Sequence, residues 1–311
     1  MPSPRSSCSS GLARACLALL AGLVVSTLAT RASAQACCAG GTVITPGRLA
    51  IHEDALVGLQ EKAGSVLGTY SQASQYLPQL SGYTELDFEQ DLFAALRVLR
   101  RGQLALLVPL VETRRATPAL GSQFGAGIGD INLSGRYDFV LAGESHMLPG
   151  IALLAGLTVP TGRAPGNATP PLLADATGIG AYQLNAALAL EQTWGPWLVN
   201  ATGIVAKRTD YGGETLGTQV TLLAACAYTF EDDAALGLSA SYAFEGDATS
   251  NGADVPDSFK RVTTVSLSGL WPVSDAWRLL GGLYINPPAS SFGANQPAAA
   301  GITYTLIRSW S

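Results

Sequence analysis

Charge is scarce in this chain: only 13 % of its 311 residues are charged, and the mean hydropathy is above zero. That balance is unusual for a water-soluble domain. A basic excess is missing too. The formal net charge is −5, and removing residues 1–34, with three arginines and no acid, takes it to −8 over the remaining 277 residues. No nucleic acid is therefore expected as a partner. Beyond residue 34 no apolar run approaches the ~18 to 20 residues that a helical span needs. Histidine occurs twice and cysteine five times, with no spacing that matches a zinc or haem site, so neither a metal nor a cofactor is expected.

What is present begins with an export signal. Arg5 and Arg14 precede an apolar stretch from Ala15 to Leu28, and the small residues Ala32-Ser33-Ala34 stand before Gln35. Residues 1–34 read as a secretory signal peptide, with cleavage after Ala36 as the alternative, and residues 35–311 as the exported domain. An apolar exported chain without spanning helices must satisfy its backbone some other way, and in hydrocarbon only a closed barrel does so.

Period-two alternation supports that reading. Ile131, Leu133, Gly135, Tyr137, Phe139 and Leu141 fall on one face; Asp130, Asn132, Ser134, Arg136 and Asp138 fall on the other. The same pattern runs over Val220 to Phe230 and Leu236 to Phe244. Strands are predicted at 50–61, 82–98, 102–113, 128–141, 150–161, 180–193, 197–207, 217–230, 234–246, 259–272, 276–287 and 298–310, twelve in all. The expected fold is all-β, an antiparallel transmembrane β-barrel of about 12 strands in the bacterial outer membrane.

Short and long connections take turns along the chain. Short ones include Arg100-Arg101-Gly102, Gly195-Pro196 and Glu231-Asp232-Asp233; long ones include Lys62 to Ser81, Arg114 to Gly127 and Gly162 to Ile179. Outer-membrane barrels have short periplasmic turns and longer external loops, so both termini are expected in the periplasm. All five tryptophans fall at that rim: Trp194 and Trp197 flank one short turn, Trp271 and Trp277 flank another, and Trp310 is penultimate. Their amphipathic rings suit a membrane–water interface girdle.

Two segments carry a resemblance. Gly127-Ile-Gly-Asp-Ile-Asn-Leu-Ser-Gly-Arg-Tyr-Asp-Phe139 and Gly150-Ile-Ala-Leu-Leu-Ala-Gly-Leu-Thr-Val-Pro-Thr-Gly162 are similar to the outer-membrane transporter family associated with the phenol meta-cleavage pathway. The resemblance implies a barrel that passes small organic molecules and brings no catalytic set with it. Physically, Gly129 and Asp130 let the chain turn from loop to strand with Asp130 inward, and Pro160 to Gly162 end the next strand at the outer rim.

Glu85, Asp87, Glu89 and Asp91 alternate on one strand, opposite Leu86, Phe88 and Leu92. With Asp130, Asp138 and Glu191 they make seven inward acids, against inward Arg97, Arg136 and Arg278. Such an excess in a water-filled lumen repels anions and favours cations. The competing reading is a set of ion pairs that packs the lumen shut.

A hydrolase is the enzyme reading to test. Serine chemistry needs a base within hydrogen-bond reach, and the two histidines are His146, beside Ser145 in a periplasmic turn, and His52, near the first strand. Both read as ordinary rim residues. Gly125-Ala-Gly127-Ile-Gly129 lacks the strand–helix setting and the lysine of a phosphate loop. Of the cysteines remaining after residue 34, Cys226 is expected to face lipid, and Cys37 and Cys38 to form a mutual disulfide or a bond to a partner.

The sequence thus predicts a channel or transporter-like barrel for passive passage of small molecules, hydrophobic organics among them, with an acidic lumen. The alternatives are a closed structural or surface-recognition barrel and, third, an outer-membrane hydrolase. Expected partners are outer-membrane lipid, a small-molecule solute, and the barrel-assembly and periplasmic chaperone machinery.

Overall fold

The computed structural model describes residues 48–145, 147–210 and 212–311. The expected signal peptide, the pair Cys37–Cys38 and His146 lie outside the described residues.

Twelve antiparallel strands form the wall: β1 (Ala55–Tyr70), β2 (Thr84–Leu99), β3 (Gly102–Thr117), β4 in two pieces (Gly121–Ile128 and Ile131–Val140), β5 (Gly150–Val159), β6 (Gln183–Trp194), β7 (Trp197–Arg208), β8 (Gln219–Thr229), β9 (Ala235–Glu245), β10 (Lys260–Ser274), β11 (Trp277–Ile285) and β12 (Gln296–Trp310). Each pairs with its sequence neighbours, and β1 pairs with β12 from Ala55↔Trp310 to Tyr70↔Gln296, which closes the barrel. No open edge is left among these strands, as hydrocarbon requires. Among the described residues no α-helix occurs; one 3-10 turn covers Pro165–Asn167.

Alternation decides which way each side chain faces. Leu59, Leu92, Leu104, Leu133, Leu188, Leu222, Leu238, Leu267, Leu283 and Ile302 come from strands all round the wall, and all stand exposed on the outside. An apolar surface that continuous is intolerable in water, so the wall faces lipid. Their strand neighbours point into the lumen.

Two strands run further than the sequence suggests. The first strand is β1, Ala55–Tyr70, not 50–61, and β3 reaches Thr117, so a turn of three residues replaces the long loop expected over 114–127. The stretch Ala63-Gly-Ser-Val-Leu-Gly-Thr-Tyr70 is rich in weak strand formers, yet pairing with β12 on one side and β2 on the other holds it extended. Neighbouring strands override local propensity here. Residues 50–54 leave the wall instead, turning through a bond from Glu53 N–H to Ala50 O at 3.0 Å.

Candidate functional site in the lumen

From the end that carries the short turns and the tryptophans, the lumen has a floor, a cavity and a roof. The floor is residues 48–54, folded across the barrel mouth. Leu49 is 5 % exposed and sits within an apolar ring drawn from strands around the barrel: Leu56, Phe93, Ala105, Leu198, Leu270 and Ile307 among them. Phe93 lies flat over Gly58, its partner on β1, where any Cβ would collide with the ring. Polar ties hold the segment above and below. Gln103 Oε1 accepts from Leu49 N–H at 3.1 Å, Arg97 Nε donates to Glu53 O at 2.8 Å, and Glu53 and Arg278 form a buried ion pair at 2.7 Å. Arg48 pairs with Glu191, which also accepts from Arg136 at 3.1 Å and Asn200 at 3.2 Å. Arg136 in turn holds Asp138 at 2.8 Å.

Above this floor lies a cavity of about 550 Å3, within the range of small-molecule sites. One side is charged, with Lys62, Glu89 and Asp91; beside it runs an apolar strip of Leu107, Pro109 and Val111 on β3. Neutral polar groups such as Asn132, Thr158, Asn185 and Gln219 follow round the wall, with Leu154 and Ile204 between them. Lys62 Nζ reaches Glu89 Oε1 at 2.9 Å and Asp91 Oδ2 at 2.8 Å. Asp91 is 1 % exposed, and its Oδ1 meets no donor among the described residues, nor does Oε1 of Gln60, its register partner on β1.

The roof is the loop between β5 and β6, residues 160–182, which folds inward. Asp130, in the break between the two pieces of β4, ties both ends of this loop. Its Oδ1 accepts from Gly162 N–H at 2.9 Å and its Oδ2 from Ile179 N–H at 2.6 Å. Thr161 Oγ1 donates to Gly129 O at 2.7 Å, and Thr177 Oγ1 to Ile128 O at 2.8 Å. The run Gly125-Ala-Gly-Ile-Gly129 is the bed on which the loop rests: a Cβ at Gly125 would strike the Ala174 backbone, and one at Gly127 would press on Thr177. Arg115 Nη1 donates to Leu172 O at 2.9 Å and so clamps the loop from β3. Within the loop, burial opposes ionisation of Asp175, but the Thr169 hydroxyl and N–H and the Arg163 guanidinium outweigh it and hold the carboxyl below its ordinary value.

Glu85, Asp87, Glu89 and Asp91 therefore do not form a bare negative strip. Glu85 binds Arg115 at 2.9 Å, Glu89 and Asp91 share Lys62, and Asp87 stands in register with Gly64 and Thr113. Further up, Glu245 binds Arg208 and, at 3.3 Å, Lys260. Arg48 fell before the first predicted strand and Lys62 and Arg115 inside predicted loops, while Glu53 fell inside the strand predicted over 50–61, whose first residues leave the wall; none of the four was picked out from the sequence. Continuing the two-residue period from Gln60 to Lys62, and from Val111 to Arg115, is the signal that would have found Lys62 and Arg115.

The five tryptophans, Trp194, Trp197, Trp271, Trp277 and Trp310, stand exposed on the outer face beside the short turns, and Arg308 lies over the rings of Trp277 and Trp310 at 5.6 and 4.9 Å. Ser145 Oγ accepts from Met147 N–H at 3.1 Å and Leu148 N–H at 3.2 Å, so it serves as a turn cap, and His52 is exposed at the floor. Cys226 is half-buried and free, on the outward face between Leu222 and Tyr228.

A solved structure shares this architecture. The COG4313 outer membrane channel from Pseudomonas putida F1 superposes with a TM-score of 0.69 at 15 % identity, covering 83 % of this chain and 96 % of that one. The KdgM porin gives 0.45 at 9 % identity over 82 % and 99 % of the two chains, and the CymD monoaromatic hydrocarbon channel 0.40 at 9 % over 83 % and 89 %. Among curated proteins none matches significantly. A family model described as the putative MetA-pathway of phenol degradation matches residues 59–304, most of the chain, and the chain belongs to that family.

Proposed function

We propose that the protein is a passive outer-membrane channel for small molecules, hydrophobic organics among them, exported through a cleaved signal peptide and assembled by the periplasmic chaperone and barrel-assembly machinery. The observation that carries this reading is the lumen cavity, about 550 Å3 with polar walls and an apolar strip, lying between an inward loop and a folded terminal segment. Solutes cross by way of that cavity. The likeness to a solved outer membrane channel and the family description support the direction, the latter pointing to aromatic solutes. Glu85, Asp87, Glu89, Asp91, Asp130, Asp138 and Glu191, with Arg136 and Arg278, are its lumen groups. Three carboxylates against one ammonium line the cavity itself, which favours cations over anions.

The packed floor favours a second reading, a barrel shut as a structural element. Planar-bilayer recording of the refolded chain separates the two. Channel activity predicts discrete current steps carried more by cations than by anions; silence at every voltage, with the floor intact and with it released, supports the closed barrel.

A further inference from the structure

We propose that the cavity is a binding site for small organic cations, amines carried on an apolar body, a deepening that rests on the channel reading above. Its hydrogen-bond balance demands a donor. Lys62 is shared between Glu89 and Asp91, so one ammonium faces two carboxylates. Asp130 also lines the cavity, but both its oxygens are taken by loop N–H groups. That leaves Asp91 Oδ1, on a side chain 1 % exposed that borders the cavity, and beside it Gln60 Oε1, each without a donor among the described residues. A buried acceptor left unpaired is costly, more so when it is charged. An incoming ammonium supplies both the missing proton donor and the missing positive charge. An alcohol supplies only a donor, and a carboxylate adds to the negative excess.

The neighbouring strand accounts for the apolar body. Pro109 stands in register with Asp91, and Val111 with Glu89, so carboxylate and apolar strip are one interstrand spacing apart, about 4.8 Å. Leu154 and Ile204 also line the cavity. A nitrogen held at Asp91 places its carbon body against Leu107, Pro109 and Val111.

Calorimetric titration of the purified full-length barrel in detergent with benzylamine, benzyl alcohol and benzoate tests the site. Benzylamine is expected to bind at least tenfold more tightly than benzyl alcohol, with benzoate weakest. Asp91→Asn is expected to remove that tenfold preference. Should Asp91→Asn fail to give a heat-modifiable barrel, Glu89→Gln, with its neighbour intact, is expected to reduce the same preference. Equal binding of the three probes, or variants that keep the full amine preference, overturns the site. Bilayer currents from the same preparation keep the two readings apart. A conducting barrel without amine preference loses only the site; a silent barrel that binds benzylamine loses only the channel.

Discussion

Asp130 bridges two segments that are distant in sequence, accepting from Gly162 and Ile179 and so closing the roof loop onto β4. Each buried N–H that loses its partner costs about 1 to 3 kcal/mol. Asp130→Ala is therefore expected to free the loop without unfolding the barrel, seen as faster proteolysis within 160–182 at unchanged heat-modifiable gel mobility. Loop cleavage at the parent rate would mean that the remaining ties suffice. The expectation that Asp130 points inward was legible from alternation along Ile131 to Leu141. What it binds was not, because both partners are backbone groups brought in by the fold. Lys62 was illegible for another reason: Gly64, Ser65 and Gly68 disguise its strand as a loop, and only pairing with β12 shows it facing Glu89.

At the scale of elements, the floor and the roof are held by different forces. The floor combines an apolar ring with buried ion pairs, and breaking such a pair by removing one partner costs about 3 to 5 kcal/mol. Leu49→Asp places a charge in the ring around Leu56, Phe93 and Leu270. It is expected to expel residues 48–53 towards the periplasm and raise channel conductance several-fold; unchanged conductance would show that the floor does not limit flow. The roof responds to acid. Because the Asp175 carboxyl is held below its ordinary value, its contribution is complete above that ordinary value, about pH 4, and is lost as pH falls through the lowered one. Hydrogen exchange of the loop is expected to be slow at pH 7 and to quicken once the lower intrinsic rate below pH 4 is allowed for, and Asp175→Asn to flatten that dependence. The loop's inward course escaped the sequence because Pro, Ala and Gly-rich composition suits an external loop equally well; its glycine bed sits on another strand.

For the whole molecule, strand number, facing and closure were legible, since a lipid-facing wall imposes a two-residue period that few other folds sustain. From the tryptophans and the short turns comes the expectation that both termini lie in the periplasm. The charge of the lumen was less legible, because a row of acids on one strand says nothing of the cations that other strands bring opposite it. Single-channel recording across a planar bilayer, comparing the parent barrel with Leu49→Asp under a salt gradient, decides whether the lumen conducts. A passive, floor-limited channel gives current through both, larger in the variant, with a reversal potential showing cation preference. No current from either, or a preference for anions, would contradict it.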